Sequence, residues 1–140
     1  WYHDVILHWN GSTWASFPHR DGLDMLESLS FSSSISGWAS GDNNLRSVWN
    51  GTSWQPDHPV QGELVAGLDV AAISSSDVWI VGWRFSTTEP LNITHWDGTA
   101  WSYSSNPSSP STTFYGVWFN SPTDGWAVGT NSVVVHYTPK

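Results

Sequence analysis

The sequence predicts an all-β chain of tandem four-stranded antiparallel sheets, arranged as the blades of a β-propeller. Three recurring sets of residues carry that expectation. Trp-(Asn/Asp)-Gly-x-x-Trp stands at Trp9-Asn10-Gly11-Ser12-Thr13-Trp14, at Trp49-Asn50-Gly51-Thr52-Ser53-Trp54 and at Trp96-Asp97-Gly98-Thr99-Ala100-Trp101. A second phrase centres on Trp38, Trp79 and Trp126, each followed three residues later by Gly41, Gly82 or Gly129. Apolar Leu29, Val70 and Val117 lie nine residues before each of those tryptophans. Successive copies are 40 to 47 residues apart, the length of a four-stranded unit.

Each full repeat reads as strands A to D, marked by period-2 alternation and by β-branched or aromatic residues. In the last repeat A covers 114–119 and stops at Ser121-Pro122, B covers 125–129 and C covers 132–137. In the middle repeat C covers 91–96 and D covers 99–104. Asn-Gly or Asp-Gly between C and D points to a type I′ hairpin with both central residues at positive φ. The flanking tryptophans then lie on the blade face and fill the gap to the next blade. Prolines 18, 56, 59, 107 and 110 keep the D-to-A links out of strands. The middle repeat is six residues longer between its B and C phrases, at 83–90. The stretch 23–29 has room for a helical turn or two, but it aligns as the lead-in to an A strand.

The chain therefore reads as one repeat array without linkers: strands C-D in 1–18, a blade in 23–59, a blade in 64–106, and strands A-B-C in 112–140. That is a little over three blades, whereas closed propellers use about 4–8. An open arc leaves tryptophan-bearing faces in water. Two solutions follow: copies associate into a homo-oligomeric ring, which is the favoured expectation, or the array is the remainder of a longer propeller chain. Association would set 133–137 beside 5–9 of a neighbour and raise the native mass above one chain. Residue 1 is Trp, already in strand-like sequence, so the start reads as processed or truncated.

Composition narrows the function classes. The 140 residues include 12 Trp, no Cys and a formal net charge of −8, with 39% hydrophobic and 11% charged residues. That apolar content argues against general disorder. A surface made of Ser, Thr, Asn and Gly instead of charge suits a secreted or cell-surface protein. Four basic residues cannot track a phosphate backbone, so no nucleic-acid partner is expected. No apolar run approaches the roughly 20 residues of a membrane helix, and an acidic chain is repelled by anionic membrane surfaces. No membrane insertion is expected.

The phrases Asp77-Val78-Trp79-Ile80-Val81-Gly82 and His95-Trp96-Asp97-Gly98-Thr99-Ala100-Trp101 resemble the bacterial β-propeller repeats that read DVWAVG and then HWDGTxW. More distantly they resemble photosystem II assembly-factor repeats and the Asp-box repeats of sialidase-like propellers. The resemblance covers essentially the whole chain. It implies the fold, and it implies structural roles for Trp9, Gly11, Trp14, Trp49, Gly51, Trp54, Trp96, Gly98 and Trp101, and for Trp38, Trp79 and Trp126. It implies no activity. An Asp-box, Ser-x-Asp-x-Gly-x-Thr-Trp, is interrupted here by Trp or Tyr. The Gly-His and Trp-Asp pairs of WD repeats are out of register.

His8, His95 and His136 precede Trp9, Trp96 and Tyr137, and Val48 takes that place in the remaining repeat. They read as buried, hydrogen-bonded structural histidines. A metal set is not expected, because equivalent positions of successive blades lie at different angles around a ring. Asp77 and Asp124 precede strand B, where the first repeat has Ser36. They read as carboxylates accepting backbone N–H groups in the A–B turn. Asn10, Asn50 and Asn92 head glycosylation sequons, and turn chemistry accounts for the first two.

Residues outside the repeat are the better ligand-binding candidates. Trp83, Arg84, Phe85 and Glu89 in the middle insertion share a face with His19 and Arg20, and with Asp57 and His58, in the D–A links. Exposed aromatics among a few charged groups suit sugar rings, which stack by their C–H faces while polar groups take the hydroxyls. No cofactor or metal is expected. Three functions stay open: a non-catalytic extracellular module binding a glycan or a protein, a structural self-assembling unit, and a fragment of a sialidase-like glycoside hydrolase. The last requires carboxylates about 5–9.5 Å apart, for which Glu89 with Asp57 or Asp21 are the candidates. The three arginines, Arg20, Arg46 and Arg84, fall near that same face. No P-loop, dinucleotide fingerprint or Ser-His-Asp elbow is present, and an enzyme is not expected.

Overall fold

The computed structural model describes residues 5–17, 25–57, 65–84, 92–104 and 107–139. Among them thirteen strands form four antiparallel sheets. The first sheet pairs β1 (Ile6–Trp9) with β2 (Trp14–Phe17). The second is the meander β3 (Leu26–Ser33), β4 (Ser36–Gly41), β5 (Arg46–Trp49) and β6 (Trp54–Pro56). The third repeats it with β7 (Val65–Ser74), β8 (Asp77–Arg84), β9 (Ile93–Trp96) and β10 (Trp101–Tyr103). The fourth holds β11 (Phe114–Ser121), β12 (Asp124–Gly129) and β13 (Val134–Tyr137). The order is C-D, A-B-C-D, A-B-C-D, A-B-C. The central A strand β7 packs on both other A strands, β3 and β11. Among the described residues no helix is long and apolar enough to cross a membrane.

The C–D turn departs from the type I′ expectation. It is a four-residue loop closed by the pairs Trp9↔Trp14, Trp49↔Trp54 and Trp96↔Trp101. Only the glycine takes positive φ: 99° at Gly11, 95° at Gly51 and 93° at Gly98. The preceding Asn or Asp is used for its side-chain oxygen. Asn50 Oδ1 accepts from the backbone N–H groups of Thr52 and Ser53, both at 3.0 Å, and Asp97 and Asn10 do the same. Because the turn consumes Asp97–Ala100, strand D starts at Trp101, not at 99. Strand C also starts later than expected. A 3-10 turn, Thr130–Ser132, fills the B–C corner, with Asn131 and Ser132 at positive φ, so β13 begins at Val134.

Side chains of each sheet alternate between two faces, and the cores form between sheets. Across the second sheet Phe31, Gly37, Trp49 and Trp54 stand in one row. The equivalent row of the third sheet is Ala72, Val78, Trp96 and Trp101, and of the fourth Phe119, Gly125 and Tyr137. The tryptophan of the preceding B strand lies on such a row. Trp38 packs on Trp96 and Trp101, with ring centroids 5.8 and 5.4 Å away. Trp79 packs on Phe119 and Tyr137 at 5.3 and 4.8 Å. Around these contacts lie two buried clusters: Trp38, Val70, Val78 and Ile80, then Trp79, Val81, Ile93, Phe114 and Ala127. Trp38 with Trp96 and Trp101, and Trp79, thus fill two inter-blade gaps, whereas Trp9, Trp14 and Trp126 stay exposed at the ends of the arc.

Candidate functional site

Two structural systems account for six of the polar residues singled out in the sequence. In the first, a B-strand tryptophan lies flat on a C-strand histidine. Trp79 covers His95 at 4.1 Å and 23°, and Trp126 covers His136 at 4.0 Å and 13°. The register forces this, since the pairs are Trp79↔His95 and Trp126↔His136. Asp77 Oδ1 meets His95 Nε2 and accepts from Trp79 Nε1, both at 2.9 Å, and Asp124 Oδ1 meets His136 Nε2 at 2.7 Å. The His136 hydrogen bond is the largest cause holding the Asp124 carboxyl below the usual carboxylate range.

These contacts correct two expectations. Asp77 and Asp124 serve a histidine on the neighbouring C strand instead of the backbone of their own turn. The histidines are hydrogen-bonded or stacked but not buried: His95 is half-buried, His136 is exposed, and His8 is exposed with its edge against Phe17 at 5.9 Å. Where the histidine is Val48, the aspartate is Ser36, so the pair is lost together in one blade. Among the described residues no group of three or more His, Cys, Asp or Glu is placed to hold a metal ion.

The second system joins the two complete blades at their loop end. Arg46 is buried with its guanidinium 4.0 Å above the ring of Trp101. Trp101 Nε1 donates to Asp57 Oδ2 at 2.7 Å, and the Asp57 N–H donates to the Arg46 carbonyl at 3.1 Å. Burial lowers Arg46 to about 10, against the opposing pull of Asp57 and Tyr103. Asp57, expected as a ligand contact, is held by the next blade's tryptophan.

In a meander the B–C and D–A loops gather at one end, so Trp83, Arg84 and Asp57 share it. Trp83 and Arg84 extend β8 two residues past Gly82, with Trp83 opposite Ala66 and Arg84 opposite Val65. The equivalent strands end at Gly41 and Gly129. Phe85, Glu89, His19, Arg20 and His58 lie outside the described residues. Asn92 is buried, with its side-chain amide donating to the carbonyl of Thr112, so that sequon is closed to modification in the folded chain.

Sequence reasoning passed over Asp69. From the central A strand its carboxylate accepts from Ser28 Oγ at 2.6 Å and from the Val117 N–H at 2.8 Å. One side chain thereby ties β7 to both neighbouring A strands. The available signal was its place in the repeat, where the other copies have Ser28 and Gly116 and Asp69 alone carries a carboxylate.

Radial four-stranded sheets whose A strands meet at the centre define a β-propeller scaffold, here an arc of one. No protein-family model and no curated protein matches the chain. Solved propellers do. The chain is similar to YCF48 bound to a D1 peptide, with a TM-score of 0.72 and 18% identity over 97% of this chain and 45% of that one. It is also similar to YCF48 from Cyanidioschyzon merolae, with a TM-score of 0.67 and 17% identity over 96% of this chain and 44% of that one. The chain thus spans less than half the length of these structures. At such identity the likeness is one of fold, and it agrees with the expected distant resemblance to photosystem II assembly-factor repeats.

Proposed function

We propose that this chain is a non-catalytic binding module whose ligand is a protein segment, held at the end of the arc where the B–C and D–A loops gather. The observation that carries this reading is where the repeat breaks. Of the three B strands only β8 continues past its glycine, adding Trp83 and Arg84 at that end, beside the D–A link that carries Asp57. Trp and Arg are residue types suited to a peptide, through apolar contact plus charge-assisted hydrogen bonds, whereas Asp57 is already committed to Trp101. Support also comes from the fold neighbour, which is a propeller in complex with a D1 peptide. A glycan is the other ligand class that such a surface takes. The non-catalytic reading is supported by five of the six described aspartates, 57, 69, 77, 97 and 124, each of which is engaged in a structural hydrogen bond. A secreted or cell-surface location is supported by the charge-poor composition, and kinship with the bacterial DVWAVG repeats by the phrases themselves.

The test is a pair of arrays, one of peptides and one of glycans, probed with the chain and with Trp83→Ala and Arg84→Ala. The expected result is selective peptide binding, weakened tenfold or more in either variant. Glycan binding alone would replace the ligand class, and binding insensitive to both variants would move the site elsewhere.

A second reading, self-assembly of copies, is favoured by the exposed indoles at the two ends of the arc: Trp9 and Trp14 on the first sheet, Trp118 and Trp126 on the last. Trp126 on Trp9 and Trp14 of another copy would reproduce the packing of Trp38 on Trp96 and Trp101. Sedimentation at micromolar concentration decides it, and a monomer ends it.

A further inference from the structure

The first sheet displays half of a contact that the rest of the chain completes. In the other three sheets the C strand carries a B strand on one edge, in the registers Trp38↔Val48, Trp79↔His95 and Trp126↔His136. Among the described residues β1, a C strand, pairs only with β2. His8 holds the position of His95 and His136, yet it is exposed, and among the described residues no tryptophan lies on it. Beside it a cavity of about 620 Å³ opens between β1 and the second sheet. Its far wall is the row Phe31, Trp49 and Trp54, with Leu29. That row is the surface on which the other junctions seat a B-strand tryptophan. Phe31 is 46% exposed, whereas its counterpart Phe119 is stacked on Trp79 at 5.3 Å.

We propose that this groove is the docking site for a β-hairpin from another polypeptide segment, whose second strand adds to the edge of β1 away from β2 and carries Asp-x-Trp. The tryptophan would lie over His8 and against Phe31 and Trp49, and the aspartate would accept from His8 Nε2. Backbone pairing supplies the strand addition, and the two side chains fix its register. A folded second copy of this chain cannot be the occupant by this mode. Its B strands β4, β8 and β12 each pair on both edges, with an A and a C strand, and have no edge to offer. The required chemistry is that of one more A–B unit of this repeat. The site is distinct from the loop end that carries Trp83 and Arg84, and its failure would leave that reading untouched.

The experiment adds such a hairpin in register. The sequence of residues 112–132, which contains β11, β12 and the B–C turn, is placed directly before Val5 of the 140-residue protein. This sets its Asp-x-Trp opposite His8, as Asp124 and Trp126 stand to His136. Hydrogen exchange of the β1 amides and the His8 ring resonances are then followed by NMR. Exchange is expected to slow at least tenfold, with the His8 ring protons moved upfield by the indole. Both effects are expected to vanish when the added copy carries Trp126→Ala. Unchanged exchange, or slowing that survives that substitution, overturns the proposal. Should the extended chain fail to fold, the free peptide of residues 112–129 is titrated onto the unmodified protein. Saturable binding weakened tenfold by His8→Ala supports the site, and no saturable binding overturns it.

Discussion

Trp79 and Trp126 hold the same place in successive repeats, and both lie flat on a histidine that is hydrogen-bonded to an aspartate. Yet Trp79 is 6% exposed and Trp126 is 43% exposed. Within their own sheets the two share the same stack on histidine, with Ala71 beside Trp79 and Trp118 beside Trp126 on the A strand. The difference is the next sheet: Phe119 and Tyr137 cover Trp79, whereas among the described residues no sheet follows the fourth. A blade of this protein is therefore half of a core, and burial is a property of the junction. The Trp-His-Asp stack survives without the neighbour, so it orders the tryptophan before any packing is added.

The largest test of that comparison truncates both rings. Trp79→Ala leaves a cavity in a buried cluster and is expected to cost about 3–5 kcal/mol. Trp126→Ala removes a ring from the surface and is expected to cost less than about 1 kcal/mol. Urea denaturation of the two variants gives the ratio. Equal costs would mean that the stack within each sheet, and not the junction, holds the arc together.

Backbone contact sets the next effect. A Cβ built on Gly82 would stand 1.7 Å from the Ala66 carbonyl oxygen, and on Gly129 2.5 Å from that of Thr113. The third residue after each B-strand tryptophan must be glycine because the A strand passes over it. Gly82→Ala, at the buried junction, is expected to cost about 3 kcal/mol, near the top of the range for overpacking. Gly129→Ala is expected to cost less, since its sheet has a free side on which to relax. Thermal melts compare the two, and the reverse order would place the strain inside the sheet.

Much of the scaffold was legible in the sequence because a repeat compares each residue with its own counterparts. Trp38, Trp79 and Trp126 announced strand B, and the Trp-Asn/Asp-Gly phrases announced the C–D hairpins. The extra length of the middle repeat at 83–90 was legible too, but not that its first two residues prolong β8. What stayed hidden depended on a second residue across a sheet or a junction. Phe31 covers Gly37 and Phe119 covers Gly125, whereas the third sheet uses Ala72 against Val78. Large and small residues exchange within a pair that is 6 residues apart in sequence and adjacent only in the folded sheet. The Asp77–His95 pair was hidden likewise, since each residue alone suggested a local role. Asp57 looked available for a ligand because Trp101, which holds it, is contributed by the following blade.

The centre of the arc offers a smaller contrast with its rim. Asp69 links three A strands through Ser28 Oγ and the Val117 N–H. Asp69→Ala frees a backbone donor and a hydroxyl and is expected to cost about 1–3 kcal/mol. In hydrogen exchange the loss is expected to concentrate in β3 and β11, while β6 and β10 at the rim keep their protection. A uniform loss would make Asp69 an ordinary local contact of β7.

The smallest predicted effect compares the C–D turn of the third sheet with that of the second. The two loops share one geometry, with Asp97 accepting where Asn50 accepts. The Thr99 hydroxyl, then the Ala100 and Thr99 N–H groups, lower Asp97 to about 2. An unfolded aspartate titrates near 3.9. The folded value is the lower one, so the turn's contribution is fully present above about pH 4 and is lost as pH falls through 2. Asn50 carries no such proton. Asp97→Asn is therefore expected to keep the fold at pH 7 and to flatten part of the fall in melting temperature between pH 5 and 2. Asn50→Asp is expected to steepen the same fall by introducing a second carboxylate of this kind. The carboxylate feels the field of the whole acidic chain as well as its four-residue loop. Identical acid profiles for the three proteins would show that the Oδ1 geometry, common to Asn and Asp, is all the turn requires.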